Sequence, residues 1–160
     1  MNTLILYATK HGSSEKAALL LKEKLNGQAI LFNLSKEKNI PALNDFDKLV
    51  LGGSIHAGKI QSELKNFCSQ FYAQILEKPF GLFICCMDAE KASLQFEQAY
   101  PEVLRNSSLA NGLFGGEFLF EKMNVMERFL VKKIAHVTQS VSQINDEAIH
   151  QFAEKLKSLP

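Results

Sequence analysis

The 160-residue chain has no tryptophan, four prolines, three cysteines and almost no excess of either charge. With 18 basic and 17 acidic residues it lacks the basic excess of nucleic-acid-binding proteins, so we expect no nucleic-acid partner. No apolar run approaches the roughly 20 residues that a membrane-spanning helix needs. The hydrophobic share of 46% and charged share of 22% are typical of globular proteins, and the length predicts one domain, 1–160.

The three cysteines, Cys68, Cys85 and Cys86, form no Cys-x-x-Cys pair and no metal-ligand spacing. The pattern therefore predicts reduced thiols in a cytosolic protein, without a metal site. Cys85 and Cys86 have no charged neighbour in sequence, so we interpret them as buried core thiols rather than redox groups. The first residues lack a basic leader and a long apolar stretch, and we expect no signal peptide.

Strand-like and helix-like segments alternate along the chain. Short apolar runs predict five strands, at residues 3–7, 29–32, 49–51, 80–86 and 113–120. Helical spacing predicts helices from Ser13 or Ser14 to Gly27, over 64–75, over 90–105 with a break at Pro101, over 125–137, and from Asn145 or Asp146 to Leu159. This alternation predicts an α/β three-layer sandwich with a five-stranded parallel sheet, and favours the flavodoxin-like strand order 2-1-3-4-5. Such a sheet binds ligands at the carboxyl ends of its strands.

The segment after the first strand combines hydroxyls, a glycine and two basic side chains. Its candidate site residues are Thr9, Lys10, His11, Gly12, Ser13 and Ser14. A loop that leads into a helix collects unpaired amides and the positive helix end, which together favour a phosphate. Glu15 follows in the first helical turn and should point away from such a ligand. The alternative is an ordinary strand-to-helix turn capped by serine.

Two further segments follow later strands. The first, after strand three, contains Ser54, Ile55, His56, Ala57 and Gly58, and the second, after strand four, contains Cys86, Met87 and Asp88. Each is also compatible with a plain connection between a strand and a helix. Taken together, three polar or glycine-containing segments after three predicted parallel strands indicate one site at a single edge of the sheet.

The first of these loops resembles the flavodoxin phosphate loop [ST]-x-T-G-x-[ST]: Thr9, Gly12 and Ser14 match, and His11 stands where threonine is usual. The resemblance implies an FMN site. It also implies that Ile55 or His56 packs on one face of the isoalloxazine and that the polarizable Met87 covers the other.

Three stretches resemble the menaquinone-dependent protoporphyrinogen dehydrogenase family more closely. They are residues 9–14, the G-[GA]-S-I-x-x-G motif at 52–58, and the helix motif D-R-F-x-x-K-x-I, here with Glu127 in place of aspartate. The resemblance implies an FMN-dependent dehydrogenase. The segment 117–124 is shorter, less basic and less aromatic than the insertion that this family uses for substrate and membrane contact.

Three functions remain open from the sequence. The first is an oxidoreductase that passes electrons from a small-molecule substrate to a quinone or similar acceptor. The sequence names no catalytic acid or base, and His11 and His56 are no more than candidates for that role. The second is an electron carrier that docks on a redox partner protein. The net charge of +1 argues against this hypothesis, because carriers of this type are usually acidic. The third is a binding or sensing module.

The predicted helix 125–137 carries an apolar stripe beside basic residues. The stripe contains Met126, Phe129, Leu130 and Ile134. Such a helix can rest on the anionic inner face of a membrane, as a weak peripheral contact. The alternative is an ordinary helix that covers the sheet.

Overall fold

The computed structural model describes residues 1–26, 29–134, 136 and 139–158. Its centre is a five-stranded parallel sheet with the spatial order β2-β1-β3-β5-β6. These strands are β1 (Thr3–Ala8), β2 (Ala29–Asn33), β3 (Lys48–His56), β5 (Phe80–Cys85) and β6 (Ala110–Leu113). The short β4 (Lys59–Ile60) pairs antiparallel with the end of β3, and β7 (Glu117–Phe118) pairs antiparallel with β8 (Val141–Ser142). When the short antiparallel β4 is left out of the numbering, the five parallel strands have the order 2-1-3-4-5, which confirms the prediction.

The helices lie between the strands along the chain. They are α1 (Ser13–Lys24), α2 (Ser62–Gln70), α3 (Tyr72–Leu76), α4 (Ala92–Ala99), α5 (Glu102–Ser107), α6 (Val125–Ile134) and α7 (Asp146–Lys157). Asn145 caps α7, because its side-chain oxygen accepts the Ala148 amide at 3.0 Å. The proposed stops at Gly27 and Leu159 and the end of the predicted helix at 137 fall outside the described residues.

Every residue of β1 and β5 is buried, as expected of strands covered on both faces. Because successive side chains alternate between faces, each strand contributes to two cores. One core contains Leu4, Leu6, Leu49, Leu51, Leu82 and Ile84 with Leu64, Phe67 and Phe96 from the helices. The other contains Ile5, Tyr7, Val50, Phe83 and Cys85 with Leu21, Phe152 and Leu156. The three-layer sandwich is thereby confirmed.

Two predicted elements were wrong. The single helix over 64–75 is two helices, separated at Phe71, whose φ of −104° and ψ of 18° depart from helical values. The fifth parallel strand is β6 rather than 113–120. At Gly115, with φ of 73°, the chain leaves the sheet, and Glu117–Phe118 then pair with β8 instead.

Candidate functional site

The loop between β1 and α1 is closed by a hydrogen bond within itself. The Gly12 amide donates to Thr9 Oγ1 at 2.9 Å, and Gly12 takes a left-handed φ of 96° at the N-cap of α1. Ser13 and Ser14 are therefore the first helical residues and not caps, which corrects the sequence-based expectation. The amides of Ser13 and Ser14 have no intrahelical acceptor, as at the start of any helix. The carboxylate of Glu15 accepts from Tyr7 Oη at 3.3 Å.

Three hydroxyls meet beside this loop. Ser14 Oγ lies 3.0 Å from Ser54 Oγ, and Ser54 Oγ donates to Thr9 Oγ1 at 3.3 Å. The contact follows from the sheet, because β1 and β3 are neighbours and pair Ala8 with Gly53. Thr9 and Ser14 from the first predicted segment and Ser54 from the second are thus brought together at the carboxyl edge.

The second predicted segment forms a tight hairpin rather than an open loop. Ile55 pairs with Ile60 and His56 with Lys59, and the two turn residues Ala57 and Gly58 have φ values of 49° and 76°. Positive φ at both turn residues is the mark of a two-residue hairpin whose twist matches its strands. Because side chains alternate along β3, Ile55 packs against the core while His56 faces the β1–α1 loop.

The third predicted segment lies beside the glycine pair that follows β6. The Cys86 amide donates to the Gly115 carbonyl at 2.7 Å, and a Cβ on Gly116 would be 3.2 Å from Met87 Cγ. Met87 and Cys86 line a cavity of about 240 Å³ that His11 and His56 do not line. Asp88 is not part of that cavity, and its Oδ1 accepts the Lys91 amide at 3.2 Å.

The cysteines are poor nucleophiles in this fold. Burial raises the pKa of Cys85 to about 12 and that of Cys68 to about 12, and it also raises the pKa of Cys86. Cys85 lies in the core as predicted. Cys86 is half-buried and its Sγ donates to Gln95 Oε1 at 2.6 Å, which corrects the expectation that it is a core thiol.

A carboxylate that sequence reasoning did not assign to the site faces the β1–α1 loop. Glu127 Oε1 lies 2.5 Å from Lys10 Nζ, and Glu127 Oε2 lies 3.1 Å from His11 Nε2. Lys10 Nζ also lies 3.2 Å from His56 Nε2, and the two imidazole rings contact edge to face at 5.8 Å. The nearby Lys10 ammonium lowers the pKa of Glu127, whereas burial, followed by the charge of Lys10, lowers the pKa of His56. At neutral pH the cluster therefore holds an ionised Glu127 and a neutral His56.

A sequence signal for Glu127 does exist. Asn124 and Glu127 form a capping box at the start of α6, in which Glu127 N donates to Asn124 Oδ1 at 2.8 Å and Asn124 N donates to Glu127 Oε2 at 3.1 Å. This spacing predicts where the helix begins, but not that the carboxylate also reaches a loop more than 100 residues earlier.

An apolar cavity of about 210 Å³ adjoins this cluster. It is lined by His11, His56, Ala57, Phe118, Met123, Glu127, Leu130, Val131 and Ile134. Two imidazoles and one carboxylate at the wall of a mainly aliphatic cavity suit a flat apolar ligand with a few polar atoms at its edge.

Helix α6 does not cover the sheet. None of its residues is buried, and the exposed fractions of Val125, Met126, Phe129 and Ile134 lie between 60% and 83%. The expectation of an ordinary covering helix was therefore wrong. Within the described residues, no helix is both long and apolar enough to cross a membrane, and no group of three or more His, Cys, Asp or Glu side chains is placed to hold a metal ion.

Comparison with known proteins agrees with this geometry. The chain is 24% identical over 174 residues to a protoporphyrinogen IX dehydrogenase [quinone] of Leishmania major, covering 98% of this chain and 75% of the relative. It is 22% identical over 164 residues to the protein of the same name from Escherichia coli K12, covering 98% and 91%. A Fusobacterium nucleatum flavodoxin solved with flavin mononucleotide superposes with a TM-score of 0.57 at 12% identity, covering 98% of each chain. The sequence profile of the Flavodoxin domain matches residues 4–145. This match spans most of the chain, which belongs to the flavodoxin domain family.

Proposed function

We propose that the chain binds FMN at the carboxyl edge of its parallel sheet and works as a flavin-dependent oxidoreductase. The observation that carries the proposal is the convergence of the β1–α1 loop, the β3–β4 hairpin and the 86–88 segment at that one edge. Adjacent strands place them in order, since β3 pairs with β1 through Gly53 and with β5 through Ser54. A solved flavodoxin of the same fold holds FMN, which supports the same cofactor here.

The donor set at the β1–α1 loop fits a phosphate monoester. The Ser54 hydroxyl lies 3.0 Å from that of Ser14 and 3.3 Å from that of Thr9, and the start of α1 adds free amides and a positive dipole end. The buried His11 Nε2 atom lies 3.1 Å from Glu127 Oε2. A phosphate oxygen is a suitable replacement for that carboxylate oxygen as its partner.

The residues around the two cavities fit a flat ring. We assign His56 rather than Ile55 to one ring face, because Ile55 packs into the core, and Met87 to the opposite side. Bound FMN supplies the redox chemistry, taking two electrons from a reduced substrate and passing them to a quinone or similar acceptor. The protein binds and orients the ring, and the apolar walls of the 210 Å³ cavity exclude water from one side.

Two observations favour an enzyme over an electron carrier. The dehydrogenases of Leishmania major and Escherichia coli align with 98% of this chain. The net charge of +1 also means that the chain has no overall negative charge with which to steer it toward a basic redox partner. Anaerobic mixing of the FMN-loaded protein with protoporphyrinogen IX should bleach the flavin absorption, and a quinone should restore it. Two well-separated one-electron potentials, with no reaction with either compound, would instead establish a carrier.

Cofactor binding is tested by titrating FMN and following the quenching of its fluorescence. Ser14→Ala should weaken FMN binding by about 10-fold or more, since a hydrogen bond to a charged group contributes about 1.5–3 kcal/mol. Ser62→Ala removes an exposed hydroxyl at the start of α2 and should leave affinity unchanged. A purified wild-type protein that neither turns yellow with FMN nor quenches it would refute the proposed cofactor.

The exposed face of α6 supports peripheral contact with the inner face of a membrane. Its apolar residues lie beside Arg128, Lys132 and Lys133, and a basic amphipathic helix binds anionic lipid surfaces. Flotation with vesicles containing anionic lipid should carry the wild-type protein upward. Phe129→Asp should abolish flotation, while Leu94→Asp, at a 54% exposed site on α4, should not. Equal behaviour of both variants would count against α6 as the contact.

A further inference from the structure

The Glu127 carboxylate lies against Lys10 and His11 of the β1–α1 loop, where the proposed function places a phosphate. Its side chain is only 11% exposed, with Lys10 Nζ at 2.5 Å and His11 Nε2 at 3.1 Å. The capping box with Asn124 fixes the residue at the start of α6 and aims it at the loop. The loop is therefore already in contact with an anionic group of the protein itself, the Glu127 carboxylate.

A second side chain from the same segment also reaches the loop. Lys122 Nζ is 3.0 Å from the position that a Cβ on Gly12 would occupy. Its ammonium makes no hydrogen bond or ion pair with the part of the chain that the structure describes. Gly12 is the N-cap of α1, so this cation lies beside the amides at the start of that helix. Lys10 and Lys122 thus place two positive charges beside the loop, which the single Glu127 carboxylate neutralises only in part.

We propose that Glu127 is an internal counter-ion that competes with a phosphate monoester for Lys10 and His11, and that Lys122 is a further phosphate-binding residue. The inference rests on the proposed FMN site. It adds that phosphate binding there is controlled by Lys122, which precedes α6, and by Glu127, which lies within α6. A carboxylate and a dianionic phosphate within a few ångströms repel each other in a partly buried site. Phosphate binding therefore displaces the Glu127 side chain from the loop and weakens the attachment of α6.

The test compares FMN with riboflavin, which has the same ring and no phosphate, by fluorescence quenching. Glu127→Gln removes the charge and keeps the capping box, because glutamine also serves at that position. The variant should bind FMN about 10-fold more tightly and riboflavin as the wild type does. The matched control is Glu121→Gln, which removes one negative charge from an exposed neighbour in the same segment and should change neither affinity. Equal or weaker FMN binding by Glu127→Gln would overturn competition and leave Glu127 with a positioning role.

For Lys122 the proposal predicts the opposite change, a loss of FMN affinity when its charge is removed. Lys122→Gln should weaken FMN binding about 10-fold without affecting riboflavin. Lys132→Gln, on the exposed part of α6 over the Phe120 ring, should leave the FMN affinity within twofold of wild type. Unchanged FMN affinity in Lys122→Gln would remove this residue from the site.

The pair of ligands also separates the inference from the proposed function. If wild-type protein binds FMN and Glu127→Gln does not bind it more tightly, only the inference fails. If wild-type protein and all variants bind neither ligand, the FMN site itself is refuted. Tight FMN binding by Glu127→Gln alone would support the counter-ion directly. Thermal melting followed by circular dichroism confirms that each variant is folded.

Discussion

Gly12→Ala probes the strained position that shapes the β1–α1 loop. Gly12 has a φ of 96°, and an alanine held in a left-handed conformation is destabilised by roughly 1–2 kcal/mol. The added Cβ would meet Lys122 Nζ at 3.0 Å, but that atom ends a flexible side chain and can move away at little cost. We therefore expect urea denaturation to show a loss of about 1–2 kcal/mol, equivalent to a fall in Tm of roughly 2–8 °C for a chain of this size.

Gly58→Ala is the matched control for that substitution. Gly58 also has a positive φ, 76°, and nothing lies within 4 Å of its added Cβ. Both variants should lose similar stability, but only Gly12→Ala should lower the ratio of FMN to riboflavin affinity, because Gly12 lies at the proposed phosphate end. A Gly12→Ala protein as stable as wild type, with an unchanged affinity ratio, would refute the strained loop as the basis of the site.

Three further predictions concern buried and titrating groups. Tyr100→Phe should cost about 1 kcal/mol in urea denaturation, since its buried hydroxyl donates to the Phe83 carbonyl at 2.7 Å, and no change would show that this bond contributes nothing. The folded state lowers the pKa of Glu127 below its usual 4.5, so the stabilising contribution of this carboxylate is present above that pH and is lost as the pH falls toward the lowered pKa. Between pH 6 and pH 3, wild type should therefore lose stability relative to Glu127→Gln. A stability difference that does not change with pH would contradict this. A thiol reagent at pH 8 should modify Cys86 first, because Cys68 and Cys85 are buried with pKa values of about 12, and Cys86→Ser should remove that fast phase; a fast phase that survives would contradict the assignment.

The parallel sheet was predictable because its strands are apolar on both faces. The run Phe80–Cys85 is buried throughout, so its lack of alternation correctly indicates a central strand. The edge strand β6 was harder to place. Its residues alternate between buried and exposed, and Asn111-Gly112 reads as a turn signal. In the structure Gly112 lies within the strand, where a Cβ would be 3.0 Å from the Phe152 ring of α7. That requirement comes from tertiary packing and leaves no local signature.

The candidate site, like the sheet, was predictable from the sequence only in part. The sequence predicted that the segments after neighbouring parallel strands share one edge of the sheet. Which side chains meet there, the hydroxyls of Thr9, Ser14 and Ser54, is known only from the structure. The hairpin at Ala57–Gly58 was not foreseen, since its sequence lacks the Asn-Gly or Asp-Gly pair that marks such turns. Without the hairpin, the choice between Ile55 and His56 could not be made, because only the pleat of β3 decides which of them faces the β1–α1 loop.

The contribution of the segment from β7 to α6 depends on a contact that no local pattern encodes. The pairing of β7 with β8 draws Glu117 and Phe118 away from the parallel sheet, and the chain then returns toward the β1–α1 loop. Buried Glu117 fixes this route, since its Oε1 accepts from Lys16 Nζ at 2.6 Å and from Ser142 Oγ at 2.7 Å. Lys16 belongs to α1, so the same helix that presents its amino end to the proposed phosphate also anchors the segment that carries Lys122 and Glu127. Because both charges arrive on one anchored segment, a change in its anchoring should alter the attraction of Lys122 and the competition of Glu127 together.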